Sequence, residues 1–149
     1  MKRNAVHSVP PIAGMVQGNR AIAEFLGVSQ SLASKLIRAN LLPTFILAGM
    51  PCAWAAKLET YFPGYRIRRH GESPCRSGLL MSKEEVAAYV GITPDEALAM
   101  YFRHTLPSVM HGSRLYSTVI RLDEFLARVA AGGNVVPFYP IGAPRGVRS

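Results

Sequence analysis

Apolar residues recur with helical spacing along residues 20–38, "RAIAEFLGVSQSLASKLIR". The pattern predicts two short helices with a tight break at Gly27, and Ser29 is the N-cap of the second helix. The inward face of this second helix consists of four apolar residues: Leu32, Ala33, Leu36 and Ile37. A turn follows at Gly49, and a third helix is expected from about residue 53 to residue 61.

The same order of elements recurs further along the chain. Two capping boxes, Ser82 with Glu85 and Thr93 with Glu96, predict two helices that are separated by a glycine. The stretch "SVMHGSRLYSTV" then has the pattern of a β-hairpin. A last helix is predicted from about residue 122 to residue 131, before a pair of glycines.

Three short segments occur twice, each time at an offset of 64 residues. "IAEFLGVS" begins at Ile22 and "VAAYVGIT" at Val86, and the pairs "LLP" and "TLP", and "LETYF" and "LDEFL", are related in the same way. Three matches in one order at one offset indicate two copies of one unit. We therefore predict five segments: a flexible N-terminal arm (1–17), a first unit (18–64), a basic linker (65–79), a second unit (80–131) and a C-terminal tail (132–149).

Helix, three-residue turn, helix, short hairpin and helix is the plan of a winged helix-turn-helix. The predicted fold is therefore mainly α with small β-hairpin wings, a tandem winged helix-turn-helix. The segment "IAEFLGVSQSLASKLIRANLLP" resembles the excisionase/MerR-type winged helix-turn-helix domain, which opens on A-x-x-L-G-V-S and closes on G-x-L-P before the wing. The resemblance implies that the second helix enters the major groove of DNA and that the wing touches the backbone. The first unit departs from the family in its apolar wing, "FILAGMPCAWAA", and the second departs in its recognition helix.

The outward face of the second helix carries the candidate DNA-reading residues. Ser31, Ser34, Lys35 and Arg38 recur at helical spacing, and Gln30 precedes them. Hydroxyls, an amide and two cations are groups that contact base edges and phosphates, and this helix has no acidic residue. The alternative is an ordinary solvated amphipathic face.

The matching helix of the second unit lacks this chemistry. At the equivalent positions it has Asp95, Leu98, Ala99 and Phe102. An acidic N-terminus repels phosphates, and Leu98 with Phe102 would form an exposed apolar pair suited to a protein partner. The alternative is a rotated helix in which both residues belong to the core. Arg114 in the second hairpin is a candidate phosphate contact, or a simple surface residue.

The segment between the units, "YRIRRHGESPCRSG", is strongly basic. Its Arg66, Arg68 and Arg69 are candidate DNA contacts, since basic arms follow a minor groove or a row of phosphates. The alternative is a solvated linker. The whole chain carries a formal net charge of +8, which favours polyanionic partners.

Composition and motifs weigh against several other classes of protein. No apolar run approaches the length of a membrane span, so no membrane partner is expected. Two isolated cysteines, Cys52 and Cys75, fit a reducing cytoplasm better than a disulfide scaffold. The histidines and cysteines lack zinc-ligand spacing, and no phosphate loop or nucleophile motif is present. We therefore expect no enzyme activity, no catalytic or metal-binding residues, no cofactor and no small-molecule ligand.

Together these features predict a sequence-specific protein that binds double-stranded DNA in the cytoplasm, associated with the nucleoid of a bacterial or phage-infected cell. Its role would be that of a transcriptional regulator, or of an excisionase-like recombination or architectural factor of a phage or mobile element. Two alternatives stay open: a protein-interaction module that uses the winged-helix fold, and the small subunit of a phage DNA-packaging motor. A homodimer held by the second unit, through Leu98 and Phe102, is also expected, since most oligomers are symmetric.

Overall fold

The structure is a computed structural model, and it describes residues 13–67 and 74–132. Arg68 and Arg69, most of the predicted N-terminal arm and nearly all of the predicted C-terminal tail lie outside the described residues. The described chain forms six helices and small antiparallel sheets, a mixed α/β fold. None of its helices is long and apolar enough to cross a membrane.

The first unit is a strand, two helices, a hairpin and a third helix. Its elements are β1 (Met15–Gln17), α1 (Gly18–Leu26), α2 (Gln30–Arg38), β2 (Phe45–Leu47), β3 (Met50–Trp54) and α3 (Ala55–Tyr61). The central strand β3 pairs with both β1 and β2 in antiparallel fashion. Two short strands follow, β4 (Tyr65–Arg66) and β5 (Cys75–Arg76), which pair with each other.

The second unit repeats the first element by element. It comprises β6 (Leu79–Leu80), α4 (Lys83–Val90), α5 (Pro94–Phe102), β7 (Val109–His111), β8 (Arg114–Thr118) and α6 (Val119–Ala130). Its sheet has the order β6-β8-β7, which corresponds to β1-β3-β2 of the first unit. The two copies that the sequence predicts are thus present as two copies of one arrangement of helices and strands.

The offset of 64 residues holds down to single backbone angles. Asn40 and His104, which follow α2 and α5, both have a φ of 59°. The strand register also recurs, because Met15 lies opposite Trp54 just as Leu79 lies opposite Thr118. Such agreement at non-glycine positive-φ residues indicates that the same turn chemistry closes both units.

The break between α1 and α2 depends on Gly27. This residue caps α1 in the left-handed region, with a φ of 81°. The segment before β5 passes directly over it, since a Cβ on Gly27 would lie 2.7 Å from the carbonyl oxygen of Pro74. Glycine is therefore required here by backbone conformation and by close packing.

Two of the predicted boundaries are wrong. The sequence predicts a flexible arm up to residue 17, but residues 15–17 form β1 and pair with β3. It predicts a linker over 65–79, but this segment contains β4 and β5 and the start of β6. Strands of two or three residues are too short to show a periodic pattern, and their partners are distant in the chain.

The two units share a core. The larger apolar cluster joins Ile22, Leu36 and Leu41 of the first unit to Val109 and Ile120 of the second. A smaller cluster lies within the second unit, among residues that include Val86, Leu106, Leu122 and Phe125. The second unit therefore packs directly against the first, around the flank of α2.

Candidate nucleic-acid interface

Helix α2 is held by a cap at its start and by its buried face. The Ser29 hydroxyl accepts a hydrogen bond from the Leu32 amide, 3.1 Å away, which satisfies a free donor of the first turn. Leu32, Ala33 and Leu36 are buried. This packing fixes the direction in which the opposite side of the helix points.

The opposite side of α2 presents polar residues to solvent. Gln30, Ser31 and Arg38 are exposed. Ser34 is half-buried, and its hydroxyl accepts a hydrogen bond from the Asn19 side-chain amide at 2.9 Å. Sequence reasoning missed Asn19, because a contact between residues 15 apart leaves no periodic signal.

Lys35 has a different environment from the one predicted for it. Its ammonium donates a hydrogen bond to the carbonyl oxygen of Met110 in β7, 3.0 Å away, and its side chain is half-buried. Residues 75 apart in the chain thus meet where the second unit packs against α2. The candidate interface is accordingly centred on Gln30, Ser31, Ser34 and Arg38.

Arg66 is likewise engaged inside the protein. Its guanidinium donates to the Leu79 carbonyl and forms an ion pair with Glu85 at 3.1 Å. The same Glu85 carboxylate accepts from the Met81 amide. Arg66 therefore connects β4 to the start of the second unit, and this contact replaces the solvated position expected of a linker arginine.

Arg76, also read as part of a basic linker, is a core residue. Its side chain is buried, with 7% of the residue exposed. The guanidinium lies 3.9 Å from the centre of the Phe25 ring and 4.4 Å from that of Tyr65, and it forms an ion pair with Glu59 at 3.0 Å. Two rings and a carboxylate compensate for its removal from water.

The second unit has a cleft in the place where the first unit has its Asn19–Ser34 contact. The cleft has a volume of about 280 Å³ and lies between the start of α4, α5 and the β7–β8 hairpin. Arg114 and Lys83 line it together with Glu84, so its charge is mixed. Leu98 also lines it and is half-buried.

The expected exposed pair on α5 is therefore incomplete. Phe102 is 63% exposed, but Leu98 faces the cleft, so the two do not form one apolar patch. The first turn of α5 carries Asp95 and Glu96, and the Glu96 carboxylate accepts from the Thr93 amide in a capping box. The acidic start and the capping box agree with the predicted helix and leave α5 without a cationic outward face.

Tyr89 of α4 is paired with an acidic residue of α6. The Tyr89 hydroxyl donates a hydrogen bond to Asp123, and this bond raises the pKa of Tyr89 above its ordinary value. Among residues 13–67 and 74–132, no group of three histidine, cysteine or acidic side chains is placed to hold a metal ion.

Comparison with known proteins does not assign the chain to a family. No family model, curated protein or solved structure matches it.

Proposed function

We propose that the protein binds double-stranded DNA through its first unit, as a tandem winged helix-turn-helix protein. The observation that carries the proposal is the free side of α2, which directly follows a tight turn and holds exposed Gln30, Ser31 and Arg38 without any acidic residue. The biological role we propose is transcriptional regulation, or excisionase-like recombination or architecture, in the cytoplasm.

The side chains of this face match the edges of bases and the DNA backbone. Amides read adenine through paired donor and acceptor groups, and hydroxyls pair with either kind of group. An arginine near the end of the helix binds guanine or a phosphate in a forked geometry. The Asn19 amide holds Ser34 in place, which reduces the ordering cost at the centre of the face.

The hairpin of the first unit has no role in this DNA contact. Its strand β2 is apolar, and Ile46 is 66% exposed. An apolar side chain placed against the phosphates of DNA cannot replace the counterions that it would displace. The proposed DNA contact is therefore made by α2, and the hairpin is available for another surface.

A salt titration of binding to duplex DNA tests the proposal. Affinity for a duplex of arbitrary sequence should fall steeply with salt, and selection from a randomised duplex library should enrich a defined site. Arg38→Ala should weaken binding by roughly 1 kcal/mol or more, and should flatten the salt slope by about 0.9 if a phosphate contact is lost.

Arg128→Ala is the matched control. Arg128 is an equally exposed cation, but it lies in the last turn of α6 on the second unit. Equal losses of affinity for the two variants would mean that the net charge alone attracts DNA. Absence of duplex binding at low salt would reject the proposed function.

A further inference from the structure

The contact between the two units joins two different surfaces. The second unit contributes its hairpin and the start of α6: the Thr118 hydroxyl donates to the Leu41 carbonyl at 2.7 Å, and Arg121 donates to the Asn40 carbonyl at 2.8 Å. The first unit contributes the flank of α2 and the turn after it. We call these the hairpin face and the helix face.

Because both units have the same architecture, each has both faces. The hairpin face of the second unit and the helix face of the first are used on each other. Within residues 13–67 and 74–132, the hairpin face of the first unit and the helix face of the second are left over. A contact of this head-to-tail kind is open-ended, since each addition leaves the same two faces free.

The unused hairpin face is more exposed than its buried counterpart. Thr118 is 0% exposed in the contact between the units, whereas Trp54 at the equivalent position is 43% exposed. Ile46, equivalent to Met110, is 66% exposed. Ile46 projects from the opposite side of β2, whereas Phe45 packs beside Trp54 with ring centres 5.8 Å apart, so these two rings form the apolar part of the face.

Strand β2 forms the edge of the first sheet in the described part of the chain. A two-residue turn joins Leu47 to Met50, so the next pair, Ile46 with Pro51, is a non-hydrogen-bonded pair. The N–H and C=O of Ile46 therefore point away from β3. At the same place in the second unit, the outward carbonyl of Met110 is the group that accepts from Lys35.

The hydrogen-bonding groups of the free hairpin face match those of the used one. Lys57 is exposed and stands where Arg121 stands in the second unit, so a cationic donor is kept. Trp54 replaces Thr118 and offers its indole N–H. Both could reach the backbone carbonyls of the turn after α5, which repeats the turn after α2 with the same positive φ at His104.

One apolar pair in the contact between the units corresponds to a polar pair on the two remaining faces. Leu32 and Met81 line the same small cavity between the units. Their equivalents are Glu96 on the free helix face and Gln17 beside the free hairpin face. An amide donates to a carboxylate, so the exchanged pair is again complementary.

We propose that copies of this chain associate head to tail, with the hairpin face of the first unit of one copy on the helix face of the second unit of the next. The partner is a second copy of the chain, because the contact repeats the one between its own units. This association does not depend on DNA binding, and it leaves the free side of α2 accessible.

Sedimentation velocity without DNA tests the association over a range of protein concentrations. Wild type should form species that grow with concentration beyond a dimer. Trp54→Asp places a charge on the hairpin face at an exposed position and should give a monomer. A wild type that stays monomeric at every concentration at which the chain remains in solution overturns the proposal.

Position 99 provides a pair of opposed variants on the helix face. Ala99 occupies the place of Lys35, so a long side chain fits the helix there. In the internal contact, the Met110 carbonyl accepts a hydrogen bond from Lys35. Ala99→Lys would supply the equivalent donor to the Ile46 carbonyl of the next copy, and should tighten association by about tenfold. Ala99→Glu places a carboxylate against the same carbonyl and should leave the chain monomeric.

A mixing experiment distinguishes head-to-tail from symmetric association. Trp54→Asp and Ala99→Glu chains should each be monomeric alone, and their equimolar mixture should form a dimer and nothing larger. Circular dichroism of every variant checks that it is folded. If the mixture stays monomeric, or if Phe102→Glu dissociates the wild-type oligomer while Trp54→Asp does not, the head-to-tail contact is rejected.

Discussion

The Lys35 ammonium donates a hydrogen bond to the Met110 carbonyl across 3.0 Å, and thereby attaches α2 of the first unit to the edge strand of the second. A residue on the outward side of a candidate DNA-reading helix thus contributes to the packing of the two units. This contact limits the candidate interface to one side of α2. The association proposed between copies of the chain repeats the same contact between units.

Removing this contact should lower stability more than it lowers DNA affinity. We expect Lys35→Ala to reduce the free energy of unfolding by about 1–2 kcal/mol, since the Met110 carbonyl loses a charged donor at a partly buried site. Urea denaturation measures the change. Arg38→Ala is the control, because Arg38 is exposed and its loss should leave stability within about 0.5 kcal/mol. The reverse order of the two effects would contradict the assignment.

The buried position of Arg76 predicts a large cost for its removal. Arg76→Met keeps much of the length of the side chain, but it leaves the Phe25 and Phe62 carbonyls without the guanidinium donor and removes the ion pair to Glu59. We expect a loss of about 2–4 kcal/mol, measured by chemical denaturation.

Arg66→Met provides the comparison for the same substitution. Arg66 is about one third exposed, and its partner Glu85 keeps the Met81 amide as a donor. The loss should therefore be near 1 kcal/mol. If the two variants are equally stable, the two rings around Arg76 contribute nothing beyond a surface ion pair.

The close approach at Gly27 can be separated from its backbone conformation. Gly27→Ala and Gly91→Ala both place an alanine in the left-handed region, at φ values of 81° and 92°, which costs roughly 1–2 kcal/mol. The Gly27 variant also brings a Cβ to 2.7 Å from the Pro74 carbonyl oxygen, whereas among the described residues the Gly91 Cβ meets nothing within 4 Å. Thermal melts should therefore show a clearly larger loss for Gly27→Ala, and equal losses would mean that the segment before β5 moves aside freely.

Local signals along the chain were enough to predict the helices and their order. The capping boxes at Ser82 and Thr93, the break at Gly27 and the apolar stripe of α2 act through residues within one or two turns of each other. For this reason the repeat at an offset of 64 residues could be predicted, and the structure reproduces it at the level of strand register.

Contacts between distant parts of the chain determine which of the predicted polar residues are exposed to solvent. Lys35, Arg66 and Arg76 all read as basic surface positions, but each is engaged by a residue or carbonyl that no periodic pattern brings near. Polar side chains on an outward helix face meet solvent only where no other element packs, and the shared core places the second unit against one flank of α2. Local signals in the sequence are therefore enough to predict the two units and their turns. The packing of one unit on the other determines which part of the predicted interface stays exposed. That packing cannot be read from a local pattern, because it depends on contacts between residues far apart in the chain.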